Sequence, residues 1–322
     1  MSKGYSLSKQ EPKPKPMPGL TLLGEQGIGK STFGAAAENP IFICTERGIE
    51  GLDVMRLPNI GVCETWDELL HCVRTVLDGD HDRKWLVIDT INGAQHLAAQ
   101  AVCDREFGGK WHASGRGGGY NQWGQGEKAT AMLFRELINL LDAVKDKGMG
   151  VIMLSHVGLL KQANALGADF YKFAGQMEKR SWELLLAWSD QVGHACREMN
   201  TRVLDGESRA KSVARGSERW IIFEGSPGRD TKCRVGYDMP AKILLSWDEY
   251  AKHLGEDPVK GLVEQAIVLL AEATDETQSI VERRMEGDIT RDSLTRLGKV
   301  KVESMINWLL SRQETQQDAP QV

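Results

Sequence analysis

The apolar positions of this chain follow two distinct periods. Leu20 to Leu23, Ile41 to Cys44, Trp85 to Ile88 and Val151 to Leu154 are short unbroken runs, the length and composition of strands buried on both faces. Between them apolar residues recur at helical spacing. Residues 65–78 carry Leu69, Leu70, Val73 and Val76 on one side and open with a Thr65–Glu68 capping box. Helices are also expected over Ser31 to Ala37, over 93–106, along Leu133, Leu137, Leu140, Leu141 and Val144, and through Trp182, Leu185 and Leu186. Strand-like stretches follow at 190–197, 201–204, 210–214, 220–223 and 232–235. Buried strands alternating with helices predict an α/β core with a mostly parallel central sheet flanked by helices.

Two segments break both periods. Residues 108–126 hold Gly108, Gly109, Gly115, Gly117, Gly118, Gly119, Gly124 and Gly126, interleaved with Lys110, Trp111, His112, Arg116, Tyr120 and Trp123. That glycine density rules out a regular element, yet a passive linker does not carry three large aromatics. The second segment, 157–175, reads as irregular and carries Lys161, Phe170, Tyr171, Lys172 and Phe173. Four units result: a basic, proline-rich arm over 1–17, a core over 18–254, a small helical appendage over 255–313, and a disordered tail over 314–322. Prolines at 12, 14 and 16 keep the arm extended, either as an inert tail or as a phosphate-touching strand.

The first apolar run feeds Gly24-Glu25-Gln26-Gly27-Ile28-Gly29-Lys30-Ser31, a G-x-x-x-x-G-K-S stretch between a strand and a helix, with Thr32 following. The spacing has a chemical reason. Glycines let successive backbone N–H groups turn inward on phosphate oxygens, the helix start adds positive potential, Lys30 reaches the outer phosphates and the Ser31 hydroxyl can ligate Mg2+. ATP and Mg2+ are therefore the expected ligands.

An ATPase also needs a second metal-organising carboxylate and a group to orient the attacking water. Asp89 ends a buried strand, where doubly wound sheets place ligand groups, and would act on the metal through water as a Walker B aspartate. Its neighbour is Thr90, so no adjacent acid serves as the base. Glu46, which ends the strand after the P-loop helix, is the first candidate, and Glu25 inside the loop is its rival. His156 ends another buried strand and could report on the γ-phosphate.

Composition and charge narrow the class. No apolar run is long enough to span a membrane and no signal-peptide region opens the chain, so a cytoplasmic protein is expected. Six cysteines without a C-x-x-C pair argue for buried free thiols rather than zinc or disulfides. Residues 1–254 hold 32 basic and 32 acidic side chains, and the remainder 8 and 13, so the net charge of −5 lies wholly in the C-terminal segment. A neutral core can hold nucleic acid only through local loops.

Taken together, the P-loop, the strand ending in Thr45-Glu46, the Walker B strand without a following acid, the strand ending in Ser155-His156, and Lys232-x-Arg234 on a late strand resemble the RecA/KaiC class of ATPases. Within that class they are most similar to the phage-encoded, AAA-type RecA-like ATPases that anneal or recombine single strands. The resemblance covers about residues 18–250. It implies that Glu46 activates water, that His156 holds the place of RecA's glutamine sensor, and that Lys232 and Arg234 reach across a subunit interface to the neighbour's γ-phosphate. Self-association into a ring or filament with ATP sites between subunits follows from the same likeness.

The resemblance also implies that 108–126 and 157–175 face single-stranded DNA. Trp111, Tyr120 and Trp123 would then be stacking platforms, and Lys110, Arg116, Lys161 and Lys172 phosphate contacts, with hydrolysis stimulated by DNA. The opposite reading, aromatics packed beneath the loop as core, stays open. So do three functions: a recombination or annealing ATPase, a hexameric helicase or helicase loader, and a KaiC-like ATP switch without DNA. The acidic C-terminal helices screen DNA, bind a partner or simply cap the core.

Overall fold

The computed structural model describes residues 17–112, 118–164, 167–197, 200–203, 212–215, 218–234, 237, 239–254, 258–285 and 288–317. The elements of the first half are β1 (Gly19–Gly24), α1 (Lys30–Ala35), β2 (Pro40–Cys44), β3 (Met55–Leu57), α2 (Trp66–Asp78), β4 (Trp85–Asp89), α3 (Ile91–Phe107) and α4 (Gln125–Asp146). Next come β5 (Gly150–Gln162), β6 (Phe170–Gly175), α5 (Lys179–Trp188), β7 (Gln191–Arg197), β8 (Asn200–Val203), β9 (Ser212–Arg215), β10 (Arg219–Ile222), β11 (Lys232–Cys233), β12 (Lys242–Leu244) and α6 (Trp247–Ala251). Three helices close the described chain: α7 (Pro258–Ala271), α8 (Asp275–Met285) and α9 (Arg291–Gln317).

The main sheet runs β12-β10-β7-β1-β5-β4-β2-β3, parallel from β7 to β3 and antiparallel at β10 and β12. Its central strands read as unbroken apolar runs because each face buries alternate residues. Leu23, Ile41, Ile43, Leu86, Ile88, Val151 and Met153 pack on one side, beneath α2, α3, α4 and α5. Leu20, Leu22, Phe42, Trp85, Val87, Ile152 and Leu154 pack on the other, with Phe33 of α1 and with Trp247 and Tyr250 of α6. The Trp85 and Trp247 rings meet edge to face at 4.9 Å. The expected α/β architecture, a mostly parallel sheet flanked by helices, is what the chain forms.

Local signals explain several boundaries. Thr65 caps α2 by accepting the Glu68 N–H, while the Glu68 carboxylate turns back to the Glu64 N–H, one residue earlier than a reciprocal box would place it. The Thr90 hydroxyl caps α3 through the Gly93 N–H. All six cysteines are free, four of them buried.

Two expectations need correction. The strand expected over 151–154 continues to Gln162, and most of the segment expected to be irregular is paired strand: Val157 to Gln162 pair antiparallel with Gly175 to Phe170. At the C-terminus α9 continues through Gln317, where a tail was expected from 314. The short β3, β12 and α6 were not anticipated. Helices α7 to α9 share a separate apolar cluster, Val263, Ala266, Leu269, Leu270, Val281, Leu294, Val302, Ile306 and Leu309, which contains no residue of the sheet core.

Candidate functional site at the carboxyl edge of the sheet

Parallel register brings the candidate groups to one edge. Gly24 of β1 pairs with His156 of β5, Asp89 of β4 with Leu154 of β5, and Cys44 of β2 with Asp89. The P-loop, Asp89 and the Thr45-Glu46 turn therefore emerge where β1, β4 and β2 end, and His156 lies at the same level on β5, which runs on beyond it. Gly27 and Gly29 have φ of 75° and 111°, a conformation that side chains beyond glycine rarely adopt. Glu25, Gln26 and Gly27 are exposed at the loop's tip, Ile28 is anchored in the core, and Thr32 lies exposed on α1.

Lys30 is buried and donates to the carbonyls of Gly24 and Glu25, each at 2.9 Å. Burial pulls its ammonium below the usual lysine value, while Asp89, Glu46 and Glu25 pull the other way. The Ser31 hydroxyl donates to Asp89 Oδ2 at 2.6 Å. Asp89 is itself buried, which raises its pKa, and its bond from Ser31 offsets part of that rise. These two side-chain oxygens, beside the Lys30 ammonium, are hard donors of the type Mg2+ takes.

Glu46 is the point on which the edge converges. The Thr90 hydroxyl donates to its Oε1 at 2.6 Å, and His156 Nε2 lies 3.0 Å from its Oε2. Its position is fixed by Thr45, whose N–H donates to the Asp89 carbonyl and whose hydroxyl donates to the Thr90 carbonyl. A carboxylate, an imidazole and a hydroxyl thus form one chain of contacts beside Asp89. Such a carboxylate can take a proton from water once its two partners let go of it.

The structure adds residues that sequence reasoning missed. Asn92 accepts the His156 N–H at 2.8 Å and donates to the Gln176 carbonyl at 2.6 Å, while the Gln176 N–H donates to the His156 carbonyl. Asn92 thereby ties the base of the β5–β6 hairpin to the helix that follows Asp89. Arg219 of β10 donates to the Ile28 carbonyl of the P-loop at 3.1 Å. No motif announces either residue, because each depends on which strands become neighbours.

Other expected groups are placed differently. Tyr120 is 1% exposed, and its hydroxyl meets Thr130 and Glu178, each at 2.6 Å. It packs with Ala99, Val102, Cys103 and Phe107, so it is loop core and not a stacking platform. Trp111 is half-buried between Tyr120 and His96 for the same reason: the loop's aromatics cover α3. Trp123 stands exposed at φ 57° and Lys110 is exposed, while Arg116 lies outside the described residues. Lys172 is tied to Asp230 at 2.8 Å, which takes its ammonium away from the surface role expected of it. Lys161 forms an exposed pair with Asp169.

Lys232 and Arg234 do not meet the P-loop of their own chain. Lys232 pairs with Val192 near the start of β7, whereas Gly24 pairs with Ala195 near its end. Lys232 Nζ donates to the Ala187 carbonyl, and the Arg234 guanidinium meets Asp190 Oδ1 at 3.0 Å. Both cations therefore sit at the C-terminal end of α5, favourable for its dipole. Asp190 is also held by Lys145 and by the Gly19 N–H.

Among the described residues no helix is long and apolar enough to cross a membrane, and no cluster of three His, Cys, Asp or Glu could hold a metal. No curated protein matches the chain. Among solved structures, a KaiC-like protein from the hyperthermophilic archaeon Pyrococcus horikoshii OT3 matches at 14% identity over 64% of this chain and 79% of its own, with a TM-score of 0.34. An AAA domain family, AAA_24, matches residues 18–235, the stretch that carries every group at the carboxyl edge. The chain belongs to this AAA domain family of P-loop ATPases.

Proposed function

We propose that the protein binds and hydrolyses ATP and couples the hydrolysis to single-stranded DNA, as a recombination or annealing ATPase. The observation that carries the reading is the continuity between the edge and the hairpin: β5 delivers His156 to Glu46 and then runs on into the exposed arm that ends at Gln176. In this reading Lys30 exchanges the carbonyls of Gly24 and Glu25 for phosphate oxygens. Mg2+, when bound, neutralises charge developing on the transferred phosphoryl group, and Ser31 and Asp89 are the residues that would hold it. Glu46 takes the proton of the attacking water after His156 and Thr90 release it.

The hairpin supports the DNA part of the reading. Leu159 pairs with Phe173 and Lys161 with Tyr171 on one face, and Leu159 and Tyr171 are 64% and 63% exposed. An exposed aromatic, aliphatic residues and a lysine on one strand face suit bases that stack and a backbone that passes by. Lys110 and Trp123 of the glycine-rich loop complete the candidate contacts. Asn92 gives the hairpin a mechanical link to the ATP edge.

The test is single-stranded DNA binding by the purified protein with ATP or a non-hydrolysable analogue, at low and moderate salt. Nucleotide-dependent binding that weakens with salt is expected. No binding under any of these conditions removes the DNA part of the reading.

A further inference from the structure

Arg219 lies outside every motif of the chain, yet it reaches the P-loop. It opens β10, where it pairs with Arg197 at the end of β7, and its carbonyl accepts the Leu245 N–H, so the backbone is fixed on both sides. This register sets Arg219 at the same edge as the P-loop, one strand beyond β7. Its side chain is exposed apart from the 3.1 Å bond to the Ile28 carbonyl. The approach is close: a Cβ at Gly29 would lie 2.7 Å from Arg219 Nη1, so glycine at 29 makes room for this guanidinium as well as for its own φ of 111°.

The Ile28–Gly29 peptide is planar, and in a trans peptide C=O and N–H point to opposite sides. A cation that holds the Ile28 carbonyl on one side therefore turns the Gly29 N–H to the other. No acceptor among the described residues meets that N–H. We propose that Arg219 is a positioning residue of the phosphate site: by holding the Ile28 carbonyl it aims the Gly29 N–H at a bound phosphate, and it adds a second cation beside Lys30. This inference rests on the reading of the P-loop as a nucleotide site. It predicts that Arg219 serves the phosphates and neither the base nor the chemical step.

The experiment compares wild type, Arg219→Ala and Arg219→Lys by calorimetric titration with ADP and with inorganic pyrophosphate, alongside steady-state ATP hydrolysis and thermal melting. A charge-assisted bond of this kind is worth about a tenfold change in affinity. Arg219→Ala should weaken ADP and pyrophosphate by the same factor, about tenfold, and raise KM in parallel while kcat changes less than about threefold. Arg219→Lys should recover most of the loss, since an ammonium can still donate to the carbonyl. Equal affinities in Arg219→Ala and wild type overturn the inference while leaving the nucleotide site intact. So does a loss confined to ADP, a loss of kcat at unchanged KM, or a loss that accompanies a lowered melting temperature and is not restored by lysine. Failure of the wild type itself to bind either ligand overturns the nucleotide site, and the inference with it.

Discussion

His194 shows how a single side chain can set a pH limit on this fold. It is 3% exposed on β7, one residue before the Ala195 that pairs with Gly24, and its ring packs 4.9 Å from Phe173 of the hairpin. Burial, assisted by Arg229, pushes its pKa down to about 4 from an ordinary 6.5. Below the ordinary value the unfolded chain takes the proton first, so stability is whole above pH 6.5 and lost as pH falls toward 4. The difference corresponds to about 3 kcal/mol. Denaturant titrations between pH 7 and 4 should show this extra loss in wild type and not in His194→Gln; identical slopes would remove the assignment. Nothing in the sequence around His194 marks it, because its depressed pKa comes from β6 and the 229 turn, both distant along the chain.

At the scale of elements, the β5–β6 hairpin and the described part of the 108–126 loop present their aromatics differently, and the proposed DNA contact divides accordingly. In the loop Tyr120 and Trp111 are fastened inward and Trp123 stands exposed, and in the hairpin Tyr171 stands outward. Tyr120→Phe should therefore cost about 1–3 kcal/mol of stability, from two lost buried hydrogen bonds, and leave single-stranded DNA binding unchanged. Tyr171→Ala should do the reverse: unchanged melting, and DNA binding weaker by about 1–3 kcal/mol. Melting curves and fluorescence anisotropy on both variants check this, and the opposite assignment of effects would move the DNA contact to the loop.

The legibility of these elements follows their burial. The central strands were readable because both faces are packed, giving unbroken apolar runs. β5 beyond His156 was not, since Leu159 on its exposed face and Leu160 on its half-buried face are both apolar, which hides the alternation of a strand. The gathering of the P-loop, Asp89 and Glu46 at one edge was legible because each lies at a strand end. The His156–Glu46 contact, Asn92 and Arg219 were not, since they depend on strand order and register.

For the whole molecule, the two ends of β7 lie beside different side-chain clusters. The P-loop edge is built within one chain, from Lys30, Ser31, Asp89, Glu46 and His156. Lys232 and Arg234 belong to the opposite end, about 10–16 Å along the strands, and a role in hydrolysis requires the site of a second subunit. Arg234→Ala should then leave nucleotide affinity per subunit unchanged and suppress turnover in the assembled protein, as read by titration, turnover and sedimentation together. Unchanged turnover would assign Arg234 to Asp190 and the end of α5 alone. The helices α7 to α9 keep an apolar core of their own.

The central claim is that Glu46, held by His156 and Thr90 at the end of β2, is the base of an ATP site that answers to DNA. ATP turnover by wild type and Glu46→Gln, each with and without single-stranded DNA, tests it most directly. Wild type should hydrolyse ATP and accelerate with DNA, whereas Glu46→Gln should bind ATP and lose at least about a hundredfold in turnover under both conditions. Full turnover in Glu46→Gln would contradict the account.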